Sequence, residues 1–487
     1  MNQVIDYHAI LPELILSGTI LLVIVVDVFL PARRKWMSMP VGLVGVLATL
    51  GAVLSLIGET RSTFDGMFVI DNFAILFKLF FLIVAVVVLL LSLRYFREGG
   101  FYQGEYYFLL LTSFLGCILM PSSRDLLMLF IALELVSAPG FLMAAFRKND
   151  PRGNEGGLKF FLIGVLSTAV MLYGMSIVYG LTGTTRLDAI GRALASVSPG
   201  QESLVWASIL FIVAGFAFKV SAVPFQFWAP DTYEGSPVPV AAFLAVASAA
   251  SGFAGLLQLM FVAFPAQAEF WTPIFAALSI ATMTIGNLVA LQQRQVVRLL
   301  AYSGIAQTGY ILLPFALVGA SAAVDRTAFS AAVTYILIYG VMNLGAFAVV
   351  IAVSRRSPGL LIGDFAGLVR RAPLLAVGMT AFMVSLAGVP PTGGFWAKIF
   401  IFTAAIERGG MGPWLAAVMV VNSVVSVAYY FAVPKAMIFT DAEDRSPLGA
   451  SPLVTAVVGL ALVAITAAFF WPDLFARAPQ FSTLLGR

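Results

Sequence analysis

Cysteine, histidine and charge are scarce in this sequence. Among 487 residues there is one cysteine, Cys117, and one histidine, His8. A single cysteine excludes an internal disulfide framework, a cysteine-ligated iron–sulfur cluster and a cysteine zinc site within the chain. A single histidine excludes a bis-histidine haem or copper site. Charged residues make up 11% of the chain, against about 25% in a soluble domain. The sequence has no GxxxxGK[ST] loop and no GxGxxG following a strand, so nothing supports nucleotide binding or hydrolysis. What the chain has in excess is apolar surface: 61% hydrophobic residues and a mean hydropathy of +0.99. Only lipid can solvate that much of it, which excludes a secreted, cytosolic or fibrous protein. The net charge of +4 and pI near 9.1 fit basic cytoplasmic loops better than nucleic-acid binding.

A spanning helix needs about 20 mostly apolar residues. That rule predicts an all-α polytopic membrane protein with about fourteen spans, near 9–30, 39–58, 70–93, 106–121, 124–146, 157–180, 203–223, 238–264, 271–291, 297–317, 328–353, 373–402, 412–438 and 452–471. The longest connection, 181–202, is polar and contains Gly and Ser. Nothing separates a soluble domain, so 1–487 reads as one transmembrane unit. The start, with Glu13 and no basic n-region, does not read as a cleaved leader.

Lys and Arg set the orientation. With both termini outside, sixteen basic residues fall on inner loops: Arg33, Arg34, Lys35, Arg94, Arg97, Arg147, Lys148, Arg152, Arg294, Arg298, Arg355, Arg356, Arg370, Arg371, Lys435 and Arg445. Eight fall outside: Arg61, Arg124, Arg186, Arg192, Arg326, Arg408, Arg477 and Arg487. Lys78, Lys159, Lys219 and Lys398 remain, all inside hydrophobic spans. With the deep carboxylate Glu134 they are the informative residues, because a charge at the bilayer centre costs about 2.5–3.5 kcal/mol on insertion scales and is functional by default. A Glu–Lys pair that forms and breaks is a proton switch, since an opposite charge and desolvation push a lysine pKa in opposite directions. The plainer alternative is a static ion pair, or a lysine snorkelling to the interface; Lys78 and Lys159, near span ends, suit it best.

Two segments read as broken helices, KVSAVPFQFWAPDTYEGSPVPV and SLAGVPPTGGFWAKIFIF. Prolines and paired glycines are tolerated at membrane depth only where the freed groups face protein or water. They share a pattern: Val223-Pro224 then Phe227-Trp228-Ala229, and Val389-Pro390 then Phe395-Trp396-Ala397. Interrupted spans at corresponding places in two halves point to a repeat transporter with its ion site at the break. Independent Pro-kinked helices are the alternative; a lysine beside each break favours the transporter. Tyr335, Tyr339 and Asn343 lie four apart on one helix face, with Tyr302, Ser303 and Gln307 in the preceding span. Such stripes hold either a water wire or interhelical contacts worth about 0.6 kcal/mol each.

On the Glu134 span, EGGLKFFLIGVLSTAVMLYG, KVSAVPFQFWAPDTYEGSPVPVAAFLA, RLLAYSGIAQTGY and LAGVPPTGGFWAK, the chain resembles the antiporter-like membrane subunits of NADH:quinone oxidoreductase (respiratory complex I) and their relatives in multisubunit cation/proton antiporters. The resemblance covers nearly the whole chain. It is most similar to the N type: Tyr233-Glu234-Gly235 replaces a His-containing variant of the M and L types, Glu13 sits in an early LPE, and Lys398 stands where M has Glu.

The resemblance implies two inverted five-helix repeats, 105–264 and 271–438, after three N-terminal helices (1–100) and before a C-terminal helix (452–471), with helices 7 and 12 broken. It implies proton transfer by Glu134, Lys219, Lys398 and Lys159, driven by quinone reduction elsewhere. No cofactor is expected in this chain; FMN, iron–sulfur clusters and quinone would belong to partner subunits. The implied partners are M-, K-, J- and A/H-type neighbours in a bacterial inner membrane, with lipid around them and no nucleic acid.

Two departures stand out. Ala249 occupies the place of a mid-membrane lysine, and Ile305-Ala306-Gln307 replaces a motif ending in His. Gln307 bonds water but cannot titrate. The link between Lys219 and Lys398 would then run through waters held by Ser248, Ser251, Gln307, Tyr335 and Tyr339. Two other readings compete: an Mrp-type sodium/proton antiporter subunit, disfavoured by one deep carboxylate against several lysines, and a membrane scaffold that has lost pumping.

Overall fold

The computed structural model describes residues 5–99, 104–442, 446–473 and 484. The basic residues Arg445, Arg477 and Arg487 of the charge count lie outside them. The chain opens with α1 (Leu11–Phe29) and α2 (Ser38–Leu54). A short antiparallel hairpin follows, β1 (Arg61–Thr63) with β2 (Phe68–Ile70), Arg61 facing Ile70. Then come α3 (Asn72–Gly99), α4 (Gly104–Leu119), α5 (Leu126–Ala144) and α6 (Pro151–Thr182). Asp125 caps α5 by accepting from the amides of Leu127 (2.8 Å) and Met128 (3.3 Å), and Asp150 caps α6 with Pro151 in its first turn. Each satisfies donors that no helix can satisfy internally.

The polar connection 181–202 is not a bare loop. It carries the amphipathic helix α7 (Leu187–Leu194), which buries Leu187, Ile190 and Leu194 on one face. The seventh span is broken as expected, into α8 (Glu202–Lys219) and α9 (Trp228–Gly235). The eighth span is α10 (Val238–Phe243) and α11 (Ala249–Gln258), with π turns at Leu244–Ser248 and Leu259–Ala263. Next are α12 (Ala268–Ala290), α13 (Val296–Leu312) and α14 (Ala322–Ser354). After the short α15 (Leu368–Arg371) come α16 (Pro373–Ala387) and α17 (Gly393–Arg408), then α18 (Gly412–Tyr430), α19 (Ala432–Phe439) and α20 (Pro452–Phe470). Among the described residues thirteen helical stretches are long and apolar enough to cross a membrane. The remaining expected span, 373–402, comes as the two shorter helices α16 and α17.

Burial is graded from the centre outwards. The stretch Val238–Ala263 and α14 are each 94% buried in their most apolar window, against 39% in α1 and 33% in α20. The outer helices instead expose apolar side chains such as Val28, Phe29, Val424 and Leu460, as lipid-facing surfaces do. Loop contacts fall into two sets at opposite helix ends. One joins the hairpin to the α4–α5 and α6–α7 junctions, through Arg124 N to Met67 O (2.7 Å) and the bridge of Asp125 with Arg186. The other joins Gln295 with Leu361, Arg355 with Glu98 (2.6 Å) and Arg298 with Asp231 (2.7 Å).

The two breaks are stitched across by side chains. At the first, the Trp228 indole of α9 donates to Phe218 O of α8 (3.3 Å). At the second, Gly388 ends α16 with φ +85°, its amide returning to Val384 O (3.1 Å) and Ser385 O (2.9 Å), a glycine C-terminal turn. Gly394, opening α17, donates to Ser385 Oγ (3.1 Å). A Cβ on Gly394 would stand 1.8 Å from the Ser385 carbonyl oxygen, so only glycine lets the half-helices approach this closely. Gly394→Ala is therefore expected to destabilise the fold by about 1–3 kcal/mol through overpacking, read as a lower unfolding temperature of the detergent-solubilised protein; an unchanged transition would contradict this packing.

Candidate functional site

At the first break, Lys219 is the last residue of α8 and is buried. Its stem crosses α11 at Gly252, where an added Cβ would stand 2.9 Å from Lys219 Cγ. Its ammonium donates to Ser137 Oγ of α5 (2.8 Å), and Ser137 donates on to Leu133 O (2.8 Å). Glu134 is one turn from Ser137 on α5 and accepts from Thr168 Oγ1 of α6 (2.9 Å). Lys219 and Glu134 thus do not form the contact ion pair that the sequence suggested. Each holds a neutral hydroxyl, and the carboxylate acts on the lysine only across a gap. Residues three apart share a helix face, so Ser137, which holds Lys219, and Glu134 lie side by side on α5. Glu134 is half-buried, in line with the exposed Leu127, Ile131 and Leu142 of α5.

The structure does not bring Lys159 to this site. Lys159 bonds Asp231 (2.6 Å) and Glu155 (2.7 Å) and is 42% exposed. Asp231 also binds Arg298 (2.7 Å), which reaches Glu234 (2.9 Å). These residues form a charged network at the helix ends, the place the sequence allowed for a lysine near the end of its span.

At the second break, Lys398 on α17 is buried and donates to Ala387 O, the last residue of α16 (2.8 Å). Its Nζ lies 4.7 Å from the centroid of the Tyr310 ring. Among the described residues no carboxylate forms an ion pair with it. The negative end of the α16 dipole and the ring face hold the cation instead. Gln307 is fixed on three sides: it donates to Leu386 O (3.0 Å) and Tyr430 OH (2.9 Å) and accepts from Tyr335 OH (2.5 Å). Tyr430 also bonds Ser303 (2.5 Å). Behind Lys398, Tyr310 OH accepts from Asn287 (3.0 Å), which accepts from Tyr429 (2.9 Å) and touches Asn422. Tyr339 accepts from Asn343 (2.8 Å).

Between the breaks, Ser251 donates to Ser248 O (2.7 Å), and Thr308 of α13 donates to Val220 O just past Lys219 (2.7 Å). Ala249 follows the first π turn and is half-buried. No direct hydrogen bond joins Ser248 or Ser251 to Gln307 among the described residues. Sequence reasoning missed Ser137, Thr168, Tyr310, Tyr430 and Asn287. Hydroxyls and amides are too common in helices to stand out by type, and only packing selects these. No group of three or more His, Cys, Asp or Glu side chains able to hold a metal ion occurs among the described residues.

The arrangement provides protonatable amines, one acid and hydroxyl and amide relays inside a helical bundle. Ser137→Ala removes the hydrogen-bond partner of the Lys219 ammonium, and such losses at a buried donor cost about 1–3 kcal/mol. The expected outcome is a lower unfolding temperature with helix content unchanged by circular dichroism, whereas the conservative Ser137→Thr keeps the parent value.

Residues 123–426 match the model of the family described as NADH:quinone oxidoreductase/Mrp antiporter, transmembrane. The NADH-quinone oxidoreductase subunit N of Trichlorobacter lovleyi is 39% identical over 473 residues, covering 97% of this chain and 95% of that one. A chain of respiratory complex I from Thermus thermophilus, solved with bound aureothin, is 31% identical with a TM-score of 0.80, covering 97% of this chain and all of that one. A chain of the Mrp complex from Dietzia sp. DQ12-45-1b, 19% identical with a TM-score of 0.83 over 99% of this chain and 98% of its own, shares the fold. With a family match over most of the bundle and relatives aligned nearly end to end, the chain belongs to the NADH:quinone oxidoreductase/Mrp antiporter membrane family, in its subunit N branch.

Proposed function

We propose that the chain translocates protons within the membrane arm of NADH:quinone oxidoreductase, coupled to quinone reduction carried out by partner subunits that hold FMN and iron–sulfur clusters. The carrying observation is that each helix break buries a lysine, Lys219 or Lys398, against a backbone or hydroxyl acceptor in place of a carboxylate. An amine bound to a neutral acceptor is free to lose its proton when a nearby charge changes, because no fixed counter-ion retains it.

In this reading Lys219 switches between Ser137 and Glu134, and Glu134 gives up Thr168 when it takes the lysine. Lys159, Asp231, Glu234 and Arg298 form the inner rim where protons enter. The central link passes through waters held by Ser248 and Ser251 to Gln307, Tyr335, Tyr339 and Tyr430, and Lys398 passes the proton towards the outer side. Residues 105–264 and 271–438 act as two inverted repeats, one break each, with both termini outside in a bacterial inner membrane. The half-buried Glu134 on the exposed face of α5 supports a neighbouring subunit there, since a carboxylate at that depth does not face lipid. M-, K-, J- and A/H-type subunits are the proposed neighbours.

In the assembled complex reconstituted in vesicles, Lys219→Ala and Lys398→Ala are each expected to lower NADH-driven proton uptake at least tenfold and to depress quinone reduction with it. Variants that assemble and pump at the parent rate would reduce the chain to scaffolding. Because waters held by Ser248, Ser251 and Gln307 carry the central link in this reading, Ala249→Lys is expected to leave the proton-to-electron ratio unchanged; a higher ratio would mean that the native centre conducts poorly.

A further inference from the structure

A further ion pair is sealed among the helices away from both breaks. Lys78 on α3 is fully buried, 0% exposed, and bonds Glu13 Oε1 on α1. Its ammonium also lies 4.8 Å from the Phe68 ring centroid. The other carboxylate oxygen, Glu13 Oε2, is buried without a hydrogen-bond partner. An anion left with a bare oxygen in apolar surroundings is costly, and binding a proton there removes that cost. A pair evolved only to fasten α1 to α3 gains nothing from the bare oxygen.

The surrounding charges single this pair out. Among the described residues, the further charged group that acts on Lys78 is Asp71, and the one that acts on Glu13 is Lys78. Asp71 is held by the amide of Ala74 (2.8 Å) and by Arg124 Nη2 (3.1 Å), and Arg124 in turn binds Gln258. That neighbouring pair is tied into the backbone and a side-chain amide, while Glu13 keeps an unused acceptor. Glu13 stands in the first turn of α1 and its side chain keeps 9% exposure, so the path from the aqueous face at that end is short.

We propose that Glu13 and Lys78 form a third proton-exchanging pair, in which Glu13 Oε2 reversibly takes a proton from the aqueous face beside the start of α1. Uptake forms one O–H bond at Oε2 and breaks one in the hydronium donor. The carboxylate–ammonium pair becomes a carboxylic acid beside an ammonium, and release reverses the step. The contact between α1 and α3 loosens when the acid is protonated, since the Coulomb attraction is then lost. This site does not rest on the route proposed above, and its readout needs no quinone turnover.

The test is pH-difference infrared spectroscopy of the whole complex in membranes. Glu13→Gln is expected to remove one protonated-carboxyl band, and Lys78→Met to change the pH at which that band appears. Spectra of Glu13→Gln identical to the parent's across the pH range would overturn the proposal and leave a static staple. Should Glu13→Gln fail to assemble, the unaltered complex is treated with an apolar carbodiimide, which attacks protonated carboxyls, and mapped by mass spectrometry. Labelling of Glu13 that rises as pH falls supports the pair; an unlabelled Glu13 at every pH overturns it.

Discussion

A hydrocarbon solvent offers no hydrogen bonds, so each polar group placed in it must find its partner within the protein. The two interrupted helices are where this constraint shapes the molecule. Breaking a helix frees carbonyls and amides, and here the freed groups are taken up by specific side chains. Trp228 covers Phe218 O, Ser385 receives the amide of Gly394, Gln307 covers Leu386 O, and Lys398 covers Ala387 O. The lysine at the second break is therefore part of how the break is tolerated. The same carbonyl that needs a donor gives the ammonium its place.

The two breaks solve the problem of a buried cation differently. Lys219 leans on a serine hydroxyl one turn from an acid that itself holds a threonine hydroxyl. Lys398 has a helix C-terminus and an aromatic face, both fixed by the backbone and by Asn287 behind Tyr310. A charge bound by dipoles is held without being neutralised, and among the described residues no ion pair cancels it. The Gln307–Tyr335–Tyr430 cluster ties α13, α14 and α18 together beside this lysine. It is a dense set of buried polar contacts joining helices far apart in the chain.

Much of this was legible in the residues. Long apolar runs announced the helices, because lipid demands them, and the prolines and glycines announced the two breaks, because a helix cannot pass them intact. Lys219, Lys398 and Glu134 stood out because charge is so rare in such runs. What could not be read was the partner of each charge. Lys159 looked intramembrane by position, yet it turns to Asp231 and Glu155 at the helix ends. The polar segment 181–202 gave little sign that Leu187, Ile190 and Leu194 would line up into a docked helix.

The sequence alone determined the solvent, the helical class, the two interruptions and the short roster of buried ionisable groups, since each follows from composition and local chain chemistry. The tertiary structure decided that Lys219 rests on Ser137 instead of Glu134, that Lys398 rests on a carbonyl, and that Glu13 keeps one oxygen bare. Those are distances of a few ångströms between segments far apart in the chain. Such distances are set by how whole helices pack, which no local run of residues encodes.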